Sequence, residues 1–185
     1  MIDQQMIANP PHYVEGRKIQ PIEAIEGWSL CHHLGCVVKY VARMGRKVPG
    51  YQNQFLGQSP LGDLRKAEWY LMREIYGKAC QAVYIPSRSP VRTYFAPEAI
   101  AKDWRLTPAL GQVVFYITAY QRLFERFPLT RVVCLKQALA HLRAEIRDCE
   151  GQELSRHAAL LRDQASGKTN IISFTGGKPC KNQQK

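Results

Sequence analysis

Four residues, His32, Cys36, Lys39 and Arg43, stand at i, i+4, i+7 and i+11. On a helix that spacing puts all four on one face. Lys39 and Arg43 then form a positive pair, continued by Arg46 and Lys47 just downstream. Two like charges one turn apart cost about 0.2–0.5 kcal/mol on an isolated helix. The same pair becomes useful when a phosphate lies between the two cations. A second set, Asp63, Lys66, Tyr70 and Arg73, follows at i, i+3, i+7 and i+10. Together the faces offer cations for phosphate, rings for stacking on a base, and one carboxylate. Asp63 could carry Mg²⁺ or orient a nucleophile. Equally, an anion in the first turn of a helix complements the helix dipole. Both readings of Asp63 stay open here.

Other chemistry is thin. The six cysteines are Cys31, Cys36, Cys80, Cys134, Cys149 and Cys180, and none form Cys-x-x-Cys. In a reducing compartment they stay thiols. Cys31, His32, His33 and Cys36 resemble half of a zinc site, but a structural zinc needs four ligands and no second pair is present. No metal site is therefore expected. Gly167-Lys168-Thr169 lacks the earlier glycine of a phosphate loop, because Arg162 stands five positions before Gly167.

These residues need helices to position them, and the hydrophobic pattern supplies helices. Residues 1–20 read as an extended arm. The run Asn9-Pro10-Pro11-His12-Tyr13 is not expected to be helical, since consecutive prolines remove donors and fix φ. Pro21 suits the first turn of a helix reaching about Trp28. Leu30 to Met44 forms a second helix, with Leu34, Val37, Val38 and Val41 as its apolar side and Gly45 as its C-cap. A loop rich in Gly, Pro, Gln and Asn follows. Leu61 to about Lys78 is a third helix with a stripe of Leu64, Ala67, Leu71 and Ile75.

The second half repeats this plan. Trp28, Leu30, Leu34, Gly35, Val37, Val38 and Tyr40 match Trp104, Leu106, Leu110, Gly111, Val113, Val114 and Tyr116 at a constant offset of 76. Upstream, Glu23-Ala24-Ile25 pairs with Glu98-Ala99-Ile100 across a one-residue gap. Downstream, Leu64, Ala67, Leu71, Glu74 and Ile75 match Leu135, Ala138, Leu142, Glu145 and Ile146 at an offset of 71. The pattern predicts an all-α fold of two tandem three-helix units sharing one core, with both matched tryptophans buried. The expected division is 1–20 arm, 21–80 first unit, 81–96 linker, 97–163 degenerate second unit and 164–185 flexible basic tail, with a short strand allowed at Ile171–Phe174. The second copy loses the polar residues: Lys39 becomes Phe115, Arg43 becomes Ala119 and Asp63 becomes Cys134. Chemistry is expected in the first copy.

Composition bounds the rest. The chain has 185 residues, 45% hydrophobic and 22% charged, which excludes a wholly disordered protein. Its longest apolar run, Val113 to Ile117, is far short of the roughly 20 residues of a membrane helix. Met1 to Gln5 shows no secretory pattern, so a soluble cytoplasmic protein is expected. A formal charge of +11 favours anionic partners. That charge is even: residues 1–92 carry 12 basic and 7 acidic side chains, and the remainder 14 and 8.

One segment also resembles a known family. It runs Asn9-Pro-x-His12-Tyr13, then Ile22-Glu23-Ala24-Ile25-Glu26-x-Trp28, then Leu34-Gly35-x-Val37-Val38-Lys39-Tyr40-Val41-x-Arg43-x-Gly45-x-Lys47, then Asp63-Leu64-x-Lys66-Ala67-x-x-Tyr70-Leu71. Over residues 8–76 this is similar to a small phage family of nucleotide kinase-like proteins, which includes an early nucleotide kinase of phage T7. The resemblance implies a homo-oligomeric protein, in the cytoplasm of a bacterial host, that phosphorylates deoxynucleoside monophosphates without a Walker motif. By position it implies Asn9, His12, Tyr13, Lys39, Tyr40, Arg43, Lys47, Lys66 and Tyr70 as nucleotide ligands. Lys39 and Arg43 would neutralise transferring phosphates, with His12 or Asp63 as proton acceptor or Mg²⁺ carrier. Two other functions fit the residues: a non-catalytic sponge for a nucleotide or cyclic dinucleotide immune signal, acting against host defence, and a binder of nucleic acid or a host protein.

Overall fold

The computed structural model describes residues 11–44, 59–77, 94–123 and 128–166. Among them are seven helices and no strand: α1 (Pro11–Val14), α2 (Pro21–Gly27), α3 (His32–Arg43), α4 (Pro60–Tyr76), α5 (Pro97–Asp103), α6 (Pro108–Arg122) and α7 (Pro128–Ala165). The fold is all-α. The described residues up to Glu150 fall in one compact unit and those from Gly151 onward in another. Gly45, the linker 81–93 and the tail beyond 166 lie outside the described residues.

Every described helix except α3 begins at a proline. At that position the missing N–H has no partner to lose and the fixed φ suits the turn. This corrects the expectation of a wholly extended arm. Pro11 opens the short helix α1, so a proline that would break a helix interior here starts one. Caps complete the starts. Ser59 Oγ accepts the Gly62 N–H at 3.0 Å and Thr107 Oγ1 accepts that of Leu110 at 3.3 Å.

The two halves share their turns as well as their helices. After α2, the Leu30 N–H bonds to the Ile25 carbonyl and the Ser29 N–H to that of Glu26. After α5, Leu106 bonds to Ala101 and Arg105 to Lys102. Both are Schellman closures, which need a left-handed residue. Ser29 and Arg105 supply it with φ of 55° and 53°, although neither is glycine. The offset is already 76 at α2, so Ala24 corresponds to the buried Ile100 and no gap is needed upstream of the tryptophans.

Each half then clasps the other. The Trp28 indole Nε1 donates to the Phe95 carbonyl at 2.7 Å. The Trp104 indole donates to the Ile19 carbonyl at 2.8 Å, the same bond seen from the other side. Both rings are buried, at 3% and 1% exposure. They belong to one cluster that takes Leu34, Val38, Leu64 and Leu71 from the first half and Leu110, Val114, Leu135 and Leu142 from the second. Full burial of each such side chain stabilises by about 1.5–3 kcal/mol.

The last helix differs from the expected plan. It extends over 38 residues, and the compact unit closes at Glu150. Within residues 151–164 every side chain but the half-buried Ala158 is exposed, including Leu154, Leu160 and Leu161. No described helix is long and apolar enough to cross a membrane.

Candidate functional site

The first-copy polar residues converge where the end of α3 meets the start of α4. Arg43 Nε donates to Asp63 Oδ2 at 3.1 Å, and its Nη2 to Oδ1 at 2.5 Å. The Asp63 side chain is 1% exposed and that of Arg43 15%. Burial, the largest single influence, works against the charge on Arg43, but the hydrogen bonds to Asp63 together with its charge and the neighbouring phenols Tyr13 and Tyr40 hold the guanidinium pKa above its ordinary value. Asp63 thus has both oxygens on Arg43, which fixes the plane of the guanidinium. Tyr13, on α1, lies beside this pair. Burial raises its phenol pKa above 10.0, against the lowering effect of Arg43, which shares a hydrogen bond with it.

Around this pair stands a ring-and-cation cluster. Tyr40 and Tyr70 stack at 5.9 Å with 23° between their planes. Lys39 Nζ lies 4.8 Å from the Tyr40 ring centre, Arg43 Cζ 4.9 Å and Lys66 Nζ 5.8 Å. Three cations around one ring use its negative face to offset their mutual repulsion. His32 and His33 approach Tyr70 at 6.0 and 6.2 Å. Trp69, 52% exposed, meets Tyr70 at right angles and 4.8 Å. The neighbouring Cys36 thiol, followed by desolvation, raises the Tyr70 pKa.

Of the expected residues, the structure brings together Tyr13, Lys39, Tyr40, Arg43, Asp63, Lys66 and Tyr70. Asn9 and Lys47 lie outside the described residues, as does the side chain of His12. The stripe on α3 is less uniform than its spacing implies. His32 is exposed, whereas Cys36 is buried beneath it, with Sγ 3.7 Å from His32 Nε2. Asp63 is likewise buried rather than displayed on the outer face of α4. Among the described residues no group of three His, Cys, Asp or Glu could hold a metal ion.

A second polar cluster was not anticipated. Buried His33 Nδ1 pairs with Glu74 Oε2 at 2.9 Å, and the Tyr120 hydroxyl donates to Glu74 Oε1 at 3.4 Å. Cys31 also shares a hydrogen bond with Glu74, and burial pushes its thiol pKa up to about 12. The matched position in the second half is built alike: Thr107 Oγ1 donates to Glu145 Oε2 at 2.6 Å. The Glu74–Glu145 identity, a charged pair in a list of apolar matches, is the signal that could have exposed it.

Residues 7–72 match a family described as a protein of unknown function (DUF3310). The match covers α1 to α3 and most of α4, and it ends before the second half begins. No curated protein and no solved structure matches the chain.

Proposed function

We propose that this chain binds a phosphate-bearing nucleotide at the junction of α3 and α4 and transfers phosphate to a deoxynucleoside monophosphate. The supporting observation is the convergence of Lys39, Arg43 and Lys66 on the Tyr40 ring. Three cations at such short range form a strong field for one polyanion. A charge pair 4 Å apart near a protein surface is worth about 4 kcal/mol at an effective dielectric of 20. Arg43, oriented by Asp63, would hold phosphate oxygens, while Lys39 and Lys66 add point charges. Tyr70, stacked on Tyr40 and beside His32, supplies a ring edge for a base. The transfer step itself rests on the similarity of residues 8–76 to phage nucleotide kinase-like proteins. In phosphoryl transfer the protein acts chiefly by positioning and charge neutralisation.

Asp63 does not fit the role of a Mg²⁺ carrier, because Arg43 takes both of its oxygens. Among the described residues no other group of three His, Cys, Asp or Glu side chains gathers to hold a cation. The same pairing favours a second reading, in which the protein sequesters a nucleotide or cyclic dinucleotide without turning it over.

Calorimetry of the full chain against deoxynucleoside monophosphates, ATP and cyclic dinucleotides, followed by chromatography, separates the readings. A monophosphate recovered as its diphosphate, with ATP recovered as ADP, is the expected result. Tight binding with every ligand recovered intact would leave sequestration. No binding by any of them removes the nucleotide from the account and leaves nucleic acid or a host protein. Lys39→Ala is expected to weaken binding by about tenfold or more, the loss of one charge-assisted contact.

A further inference from the structure

Outward from the cation cluster, α4 carries an alternation of rings and cations: Lys66, Trp69, Arg73 and Tyr76 at i, i+3, i+7 and i+10. They share one face of the helix. Trp69 is 52% exposed and Tyr76 66%. Arg73 Cζ lies 5.3 Å from the Trp69 ring centre, so this ring has a cation of its own. The other two tryptophans are buried with their indoles bonded across the core. A core does not explain Trp69, and its cation duplicates the arrangement at Tyr40.

We propose that Trp69 and Arg73 form a second ring-and-cation station, so that the ligand carries two bases joined by a phosphate. This rests on the nucleotide reading of the Tyr40 cluster. One station binds the terminal phosphate through Lys39, Arg43 and Lys66. The next base stacks on Trp69, and Arg73 takes the charge of the linking phosphate. Rings interleaved with cations are what a run of bases on a charged backbone requires. From Trp69 to Tyr76 is seven residues, about 10 Å along a helix axis. Bases stacked at about 3.4 Å fit within that length. The chemistry is shared by a free dinucleotide and by a short single strand.

Trp69 is also the probe, because the other tryptophans are shielded from solvent. The full chain is titrated with thymidine monophosphate, a 5′-phosphorylated thymidine dinucleotide and a thymidine decamer, read by tryptophan emission and by calorimetry. The dinucleotide is expected to quench emission and to bind about tenfold more tightly than the monophosphate, the usual gain of one base on one aromatic ring. Trp69→Ala should erase that gain, so that the variant binds the dinucleotide no more tightly than it binds the monophosphate. Because Trp69 is largely exposed, an unchanged helical circular dichroism spectrum checks the fold of the variant. A further gain with the decamer assigns the stations to single strands, and no further gain assigns them to a dinucleotide. Equal affinities for monophosphate and dinucleotide, or a gain that survives Trp69→Ala, overturn the second station alone. If neither monophosphate nor dinucleotide binds, the nucleotide reading falls and the station with it.

Discussion

The two halves carry the same surface position with opposite chemistry. Where Tyr40 stacks on Tyr70 in the first half, Tyr116 stacks on His141 in the second, at 5.7 Å and 17°. The stack belongs to the scaffold. Around it, Lys39 is replaced by Phe115, Arg43 by Ala119, Asp63 by Cys134 and Lys66 by Gln137. Phe115 packs edge-on against Tyr116 at 5.4 Å and is still 42% exposed. One position therefore gathers cations and the other an uncharged ring, on backbones that close their turns with the same bonds. The difference separates what the fold requires from what the first half adds to it.

The sharpest way to break the comparison is to remove Arg43. Arg43→Ala leaves a buried carboxylate without its partner and is expected to cost about 3–5 kcal/mol. Adding Asp63→Cys copies the second half at both positions and should recover most of that loss. Urea denaturation of the single and double variants reads the recovery directly, and a double variant as unstable as the single would show that the pair does more than satisfy itself.

Where the halves agree, damage should be equal. Trp28→Phe and Trp104→Phe each remove an indole donor and leave a small void, and each should cost roughly 2–4 kcal/mol. Melting the two variants side by side tests the reciprocity, which unequal losses would contradict.

Glu68 is one-sided, since its counterpart in the second half is the buried Leu139. Burial disfavours its charge, yet hydrogen bonds from Arg143 at 2.7 Å and Arg65 at 2.8 Å hold its pKa below the ordinary 4.5. A depressed carboxylate stabilises above its unfolded pKa and loses that contribution as pH falls through the folded value. The stability gap between the native chain and Glu68→Gln should thus be full at pH 6 and shrink below about pH 4. Denaturation midpoints across that range measure it.

The smallest effect is a gain. Ser29 and Arg105 sit in the left-handed region without glycine's freedom. Arg105→Gly should stabilise by about 0.5–1 kcal/mol, and Ser29→Gly by a similar amount, in thermal unfolding.

Much of this architecture is legible in sequence because it follows from local rules. The valines of α3 and the Leu64, Ala67 and Leu71 stripe of α4 are buried as their spacing implies. Pro21 and the tryptophan matches likewise mark real helix starts and a shared core. Pro11 misleads because a pair of prolines reads as a helix breaker until the second occupies a first turn. Arg43 and Asp63 each have a sound local reading, on a cationic stripe and at a helix start. Their union depends on how α3 and α4 cross, which neither helix's periodicity contains. His33 and Glu74 meet over 41 residues for the same reason.

The crossed indoles have a consequence for dissection. Each half presents one donor and one acceptor, and each bond joins residues on opposite sides of the 78–93 segment. A break in that segment turns both bonds into contacts between two molecules. Separately expressed pieces should therefore reassemble as a split protein, visible as one peak in size-exclusion chromatography. An orphaned piece keeps a donor and an acceptor of mutually fitting kind, so its most available substitute for the missing half is another copy of itself.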